Sequence, residues 1–276
     1  MKKGGIVSDI HAGSDYGLLP PNARAGANLF LQNDGQRYLW DCWRRLCEEF
    51  RKAKLDFIIV LGDVVDGEQR LNGGRELRTV LQTGQVEWAV EILSFLPDVP
   101  KYVVVGTPYH DGRSGEYAEF VAQRLNRVLR PPQGYPLAGT YSYHCLDLQI
   151  EGVDCNLLHE IPVSGALYRA VSIDREMVWS ALAGKEGKAP RADFVARAHA
   201  HHFLHVEHAS KHGIVNPCWQ LGTPYTQRKS AYRMLPDIGA TIVYVDGKAK
   251  SAGKDPIRIE KFLYPLPTVS GAVSLA

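Results

Sequence analysis

The run Phe57-Ile58-Ile59-Val60-Leu61, closed by Gly62-Asp63 and a second carboxylate at Asp66, limits the choice of folds more than any other stretch. Continuous apolar character, rich in β-branched residues, predicts a strand buried on both faces. Strands of that kind belong to sheets covered on both sides. In open α/β sheets, ligands collect outside the carboxyl ends of the strands. An acid there either caps the following helix or belongs to a site.

Other strand ends bear on that choice. Gly4 to Ser8 ends in Asp9-Ile10-His11. If the chain is extended, Asp9 and His11 face one side and Ile10 faces the core. Lys101 to Val105 runs into Gly106-Thr107-Pro108-Tyr109-His110-Asp111, Cys155 to Leu158 into His159-Glu160, and Phe194 to Ala198 into His199-Ala200-His201. Five hydrophobic strands thus end in Asp or His, which points to carboxylates and imidazoles converging on a shared metal site.

In this order the motifs resemble the signature of the calcineurin-like metallophosphoesterases: Asp-x-His, Gly-Asp-x-x-Asp, Gly-Asn-His-Asp/Glu, a lone His and Gly-His-x-His. Asp9-Ile10-His11, Gly62-Asp63-Val64-Val65-Asp66, His110-Asp111, His159 and His199-Ala200-His201 stand in for them. Ala198 replaces the last motif's Gly. The third block carries two additional residues and lacks the Asn, which in the family binds one metal and touches the phosphate.

The resemblance implies an α/β fold in which two mixed β-sheets pack face to face, flanked by helices. It implies Asp63 as the bridge between two ions, with Asp9, His11 and His201 at one and His159 and His199 at the other. Thr107 is the nearest oxygen donor to the empty Asn position, as a metal or phosphate contact. His110 is expected to protonate the leaving oxygen, with Asp66 orienting it. Arg113, directly after the His110 block, is a candidate substrate contact. Mixed carboxylate and imidazole ligands suit manganese, iron or zinc, and also nickel or cobalt, better than calcium or magnesium. Two such ions about 3.5–4 Å apart acidify a water between them and clamp a phosphate. A phosphate ester is the implied substrate, with nucleotides or nucleic acids among the options and no protein partner legible. The Arg-bearing loops lean toward a phosphodiesterase or nuclease-like activity. A phosphomonoesterase acting on nucleotides or phosphoproteins stays open, as does a catalytically degenerate metal-binding scaffold.

Composition fits a globular chain with a sizeable core: 276 residues, 45% hydrophobic and 22% charged. A net charge of +2 is too mild to imply nucleic-acid binding by itself. No apolar run is long enough to span a membrane. Five cysteines without Cys-x-x-Cys spacing read as reduced, mostly buried thiols of a cytoplasmic protein. Because the motifs spread through most of the chain, one domain is expected over residues 1–264, with a poorly packed tail at 265–276.

Between the motifs, helices are expected at 37–54, 79–95, 115–128 and 167–182, and a hairpin about Glu151-Gly152. The first three strands are expected to be parallel. Residues 12–35 read as a long connection without periodicity, either a wall of the site or a surface excursion. Arg70, Arg75 and Arg78 read as a solvated charge run, with phosphate contact as the alternative. Short strands follow His201, among them 218–221. His202, His205, His208 and His212 read as surface histidines, their bunching beside His201 leaving an extra metal site open.

Overall fold

Side chains of Phe57–Leu61 part to opposite faces, as strand geometry requires. Phe57, Ile59 and Leu61 enter one core, and Ile58 and Val60 another. Burying each such side chain contributes roughly 1.5–3 kcal/mol. The structure, a computed structural model, describes residues 1–125, 141–162, 168–209, 211–230 and 235–267.

The elements run β1 (Lys2–Val7), β2 (Ala23–Ala25), β3 (Asn28–Phe30), α1 (Asp34–Ala53), β4 (Phe57–Leu61), α2 (Gln82–Ser94), β5 (Lys101–Val104) and α3 (Glu116–Leu125). They continue with β6 (Ser142–Tyr143), β7 (Leu146–Ile150), β8 (Val153–Leu157), α4 (Arg169–Lys185), β9 (Phe194–Arg197), β10 (Leu204–His208), β11 (Lys211–Val215), α5 (Pro224–Ser230), β12 (Ile238–Val245), α6 (Gly247–Ser251) and β13 (Ile257–Tyr264).

One sheet has the order β13-β12-β1-β4-β5-β6 and the other β10-β11-β9-β8-β7. Both are mixed. β1, β4 and β5 are parallel, as expected, while β12 runs antiparallel to β1 and to β13. In the second sheet β8, β9 and β11 are parallel, with antiparallel β7 and β10 at the edges. Ile6, Phe57, Ile59 and Val243 of the first sheet meet Val153, Cys155, Phe194 and Ile214 of the second. The sheets therefore pack face to face. Leu39, Trp43 and Phe50 of α1 and Trp88 and Ile92 of α2 cover the outer face of the first sheet; Ile173 and Met177 of α4 cover that of the second.

Helix α1 begins three residues before its expected start. Asn33 and Gln36 form a reciprocal capping box ahead of the apolar stripe, satisfying amides that periodicity alone does not reveal. The tail expected at 265–276 lies outside the described residues from 268 onward; before that, Leu266 packs on the core and the Tyr38 hydroxyl donates to the Pro265 carbonyl. Positions 126–128 and 167 of two expected helices are likewise outside the described residues. Residues 218–221 are not a strand: Cys218 makes only an isolated bridge with Ile238, because Trp219 and Leu221 turn their amides to Asp9 and Tyr16. Residues 12–35 are no idle excursion. Leu18 and Leu19 are fully buried and β2 pairs with β3.

Cys42, Cys47, Cys155 and Cys218 are buried, Cys145 is half-buried, and none is paired with another. Among the described residues no helix is long and apolar enough to cross a membrane.

Candidate metal centre

Asp9 and His11 share a side for a reason other than strand alternation. β1 stops at Val7, and both residues hold left-handed backbone angles, φ +52° and +49°. Asp63 (+47°), His199 (+67°) and His201 (+55°) do the same at the ends of β4 and β9. A non-glycine residue in that region costs of order 1–3 kcal/mol, and such strain clusters at functional sites. Backbone hydrogen bonds hold it in place. Asp9 donates to Gly62 O (3.0 Å), His11 to Asp63 O (3.1 Å), Trp219 to Asp9 O (3.0 Å) and Asp237 to His201 O (2.8 Å). Each turn lifts a polar side chain off a strand end toward the same point.

The carboxyl ends of β1, β4, β8 and β9 thereby form two donor groups. Asp9, His11 and His201 place their ligand atoms within 4.8 Å of one another, and so do Asp63, His159 and His199. Asp9 Oδ1 lies 3.3 Å from His201 Nε2 in its own group and 3.9 Å from His159 Nε2 in the other. Asp63 Oδ2 is 3.1 Å from His159 Nε2 and 4.0 Å from His199 Nδ1.

Second partners fix which nitrogen of each ring faces the centre. His159 Nδ1 donates to the Leu61 carbonyl at 2.7 Å, and His11 Nδ1 to Asp66 Oδ1 at 2.9 Å. Their Nε2 atoms therefore face inward, and His11 Nε2 stands 3.2 Å from His201 Nε2. Gly62 is required here: its φ is +80°, and a Cβ on it would stand 2.3 Å from His159 Nδ1.

Two inward atoms, Asp9 Oδ1 and His159 Nε2, are buried without a hydrogen-bond partner. Unpaired buried polar atoms are costly and rare. A carboxylate oxygen and an imidazole nitrogen aimed at one point fit a divalent transition metal that takes the place of the nitrogen's proton.

The charges suit the same purpose. Burial opposes ionisation of Asp9 and Asp63, yet His159 and its neighbours outweigh it and hold both below the ordinary value. Burial likewise opposes charge on His159, but Asp63 and Asp9 push it up to about 10. Against the same burial, Cys218 and Asp9 raise His201 well above its ordinary value. For His11 burial wins, helped by nearby His110, and its pKa falls.

His110 stands at the edge of the first group, its ring centroid 4.5 Å from that of His11. Its Nδ1 meets the Asp66 carbonyl oxygen at 3.0 Å and Asp66 Oδ1 at 3.4 Å. Burial opposes its charge, but Asp63 and Asp66 push its pKa up to about 9. Asp111 takes a different part. Fully buried, it accepts from Val64 N (3.0 Å) and Gly106 N (2.7 Å), pinning the loop after β4 to the loop after β5. Burial pushes its pKa up to about 7. Its position after a strand end is visible in the sequence; its inward turn is not.

Thr107 donates to Asp63 Oδ1 from its amide (2.7 Å) and its hydroxyl (3.0 Å), so it braces Asp63. Arg113 is exposed. Arg70 pairs with Glu68, Arg75 is exposed, and Arg78 faces Asp15 at 3.4 Å. Sequence reasoning missed Gln69 and Gln220, whose side-chain amides donate to Asp66, Gln220 at 3.4 Å. No motif marks them, since one follows a strand end by a loop and the other lies far along the chain. His212, read as a surface residue, is 2% exposed because β10 and the chain before β13 cover it.

No protein-family model matches this sequence, and no curated protein sequence is significantly similar to it. Solved structures align over nearly its whole length at low identity. An archaeal phosphodiesterase does so at TM-score 0.45 and 10% identity, covering 95% of this chain and 99% of its own. Vps29 from Chaetomium thermophilum gives TM-score 0.45 and 11% identity, covering 96% and 98%. Zinc-bound Vps29 from Entamoeba histolytica gives 0.42 and 12%, covering 95% and 98%. Likeness at this level decides neither family nor activity.

Proposed function

We propose that the chain is a calcineurin-like metallophosphoesterase that hydrolyses phosphodiesters with two divalent metal ions. The observation that carries this is the pair of Asp/His groups, Asp9-His11-His201 and Asp63-His159-His199, adjacent through the 3.9 Å from Asp9 Oδ1 to His159 Nε2, with His110 at their edge.

Asp9, His11 and His201 would hold one ion and His159 and His199 the other, with Asp63 between. Bound there, the metals supply Lewis acidity and an acidified water for attack on phosphorus. The chain's own residues do the rest. Leu61 O and Asp66 orient the rings of His159 and His11, fixing the tautomer that each ligand needs. Thr107 holds Asp63 Oδ1, leaving Oδ2 turned toward the histidines. His110 is placed to give a proton to the departing oxygen: Asp66 favours its protonated form, and the Asp66 carbonyl holds its Nδ1 so that Nε2 carries that proton.

Charge favours a diester over a monoester. A diester carries one negative charge and a monoester close to two. Arg70 and Arg78 are held by Glu68 and Asp15, which takes these two guanidinium groups away from clamping a second charge. The test is turnover of bis(p-nitrophenyl) phosphate against p-nitrophenyl phosphate after chelation and manganese reloading. Diester turnover should exceed monoester turnover and vanish on chelation. A reversed preference overturns the substrate class, and no turnover of either favours a scaffold.

A further inference from the structure

A second cluster lies outside this centre. β10 and β11 pair antiparallel, with His205 opposite Ile214 and Glu207 opposite His212. Residues two apart on a strand share a face, so His205, Glu207 and His212 stand together. Their ligand atoms lie within 4.8 Å of one another. His205 Nε2 is 2.9 Å from His212 Nδ1, and the two rings stack with centroids 5.2 Å apart and planes 21° apart.

Asp255, from the chain just before β13, makes the arrangement directional. Its carboxylate takes the His212 Nε2 proton at 2.9 and 3.1 Å. That fixes the tautomer: His212 Nδ1 carries the lone pair, and it points at His205. Asp255 is itself held, since Oδ1 accepts from the Ile257 amide at 2.9 Å. A carboxylate receiving the far N–H of an imidazole is the usual support of a metal-ligating histidine. The fourth histidine of this region, His208, is bound instead to Asp174 at 2.8 Å.

We propose that His205, His212 and Glu207 form a separate mononuclear site for a zinc-like divalent ion, with Asp255 as the positioning residue of His212. Two imidazole nitrogens and one carboxylate oxygen leave a fourth position for water. Nitrogens bonded to one tetrahedral ion at about 2.0–2.1 Å stand about 3.3 Å apart, so the 2.9 Å pair needs to open by only a few tenths of an ångström. On binding, the neutral His205 exchanges its Nε2 proton for one on its other ring nitrogen, Nδ1, through solvent, so that the Nε2 lone pair is free for the ion and no proton is released overall. All three ligands lie on β10 and β11 of one sheet, and Asp255, just before edge strand β13 of the other, reaches the site through His212. Calcium and magnesium, which prefer all-oxygen ligands, should not bind.

The experiment is zinc titration of the chelator-stripped protein by calorimetry, with metal content measured after dialysis. The comparison is with the His205→Ala, Glu207→Gln double variant. Both altered positions are exposed, so folding is not at stake. Wild-type protein should hold one more zinc per chain than the variant, with equal diesterase turnover in both. Equal zinc content overturns the site. Asp255→Asn should weaken the added step about 10–100-fold without removing it. An unchanged affinity overturns the positioning role.

Discussion

His110 Nδ1 lies 3.0 Å from the carbonyl oxygen of Asp66 and 3.4 Å from the carboxylate of the same residue, which receives His11 Nδ1 at 2.9 Å. One residue therefore serves a metal-ligand candidate through its side chain and the candidate acid chiefly through its backbone. Substitution separates these jobs, because a side chain can be changed while the carbonyl stays.

Asp66→Asn should weaken metal binding about 10–100-fold, the usual effect of losing a carboxylate behind a ligating histidine. Its effect on the proton donor should be the smaller one, since the carbonyl contact survives. Metal titration alongside turnover at saturating metal checks this. Unchanged metal affinity with a collapsed rate would assign Asp66 to His110 instead.

His110→Asn should keep both metals and lose roughly 10²–10⁴-fold in rate, the usual worth of general acid–base catalysis. The loss should shrink for leaving groups as acidic as p-nitrophenol, which depart without a proton. If alkyl and nitrophenyl diesters slow alike, or metal is released, the assigned role is wrong.

Loading metal should release protons. In the metal-free protein Asp63 and Asp9 push the His159 pKa up to about 10, and Cys218 and Asp9 raise that of His201, so both rings favour their protonated forms. A metal takes the place of those protons, so apparent affinity should climb as pH rises toward 10. Without metal the sign reverses. A raised histidine pKa gives stability that is complete below the ordinary 6.5 and lost as pH rises through about 10. Calorimetry in two buffers of different ionisation enthalpy should give different apparent heats; identical heats would contradict the proton exchange.

Gly62→Ala should cost at least about 2 kcal/mol, combining a left-handed backbone penalty of roughly 1–2 kcal/mol with the clash against His159. Urea unfolding measures the cost, and metal analysis should show the His159 ion lost first. A loss of stability below about 0.5 kcal/mol, a typical surface effect, would mean the turn relaxes freely.

Much of this arrangement is legible in the chain because strands buried on both faces are unambiguous. β4 has no polar residue from Phe57 to Leu61, so whatever follows Leu61 sits at a sheet edge. The convergence of Asp9, Asp63, His159 and His199 follows from that logic. The left-handed turns do not, because Asp and His carry no mark of positive φ as a glycine would. Leu18 and Leu19 are buried without periodicity, so the sequence leaves residues 12–35 open between a wall of the site and a surface excursion. Thr107 is the nearest oxygen donor to the empty Asn position in the sequence, but its two donations to Asp63 depend on how the loop after β5 folds back. His212 reads as a surface residue because its cover, Asp255, lies 43 residues away.

The most direct test of the proposed metal-dependent diesterase activity is hydrolysis of bis(p-nitrophenyl) phosphate by manganese-loaded wild-type, Asp63→Asn and His201→Ala proteins, with metal content and folding measured on the same samples. Wild-type turnover that disappears on chelation and returns with manganese is expected, with both variants folded, short of metal and inactive. Wild-type turnover by either folded variant would contradict the account.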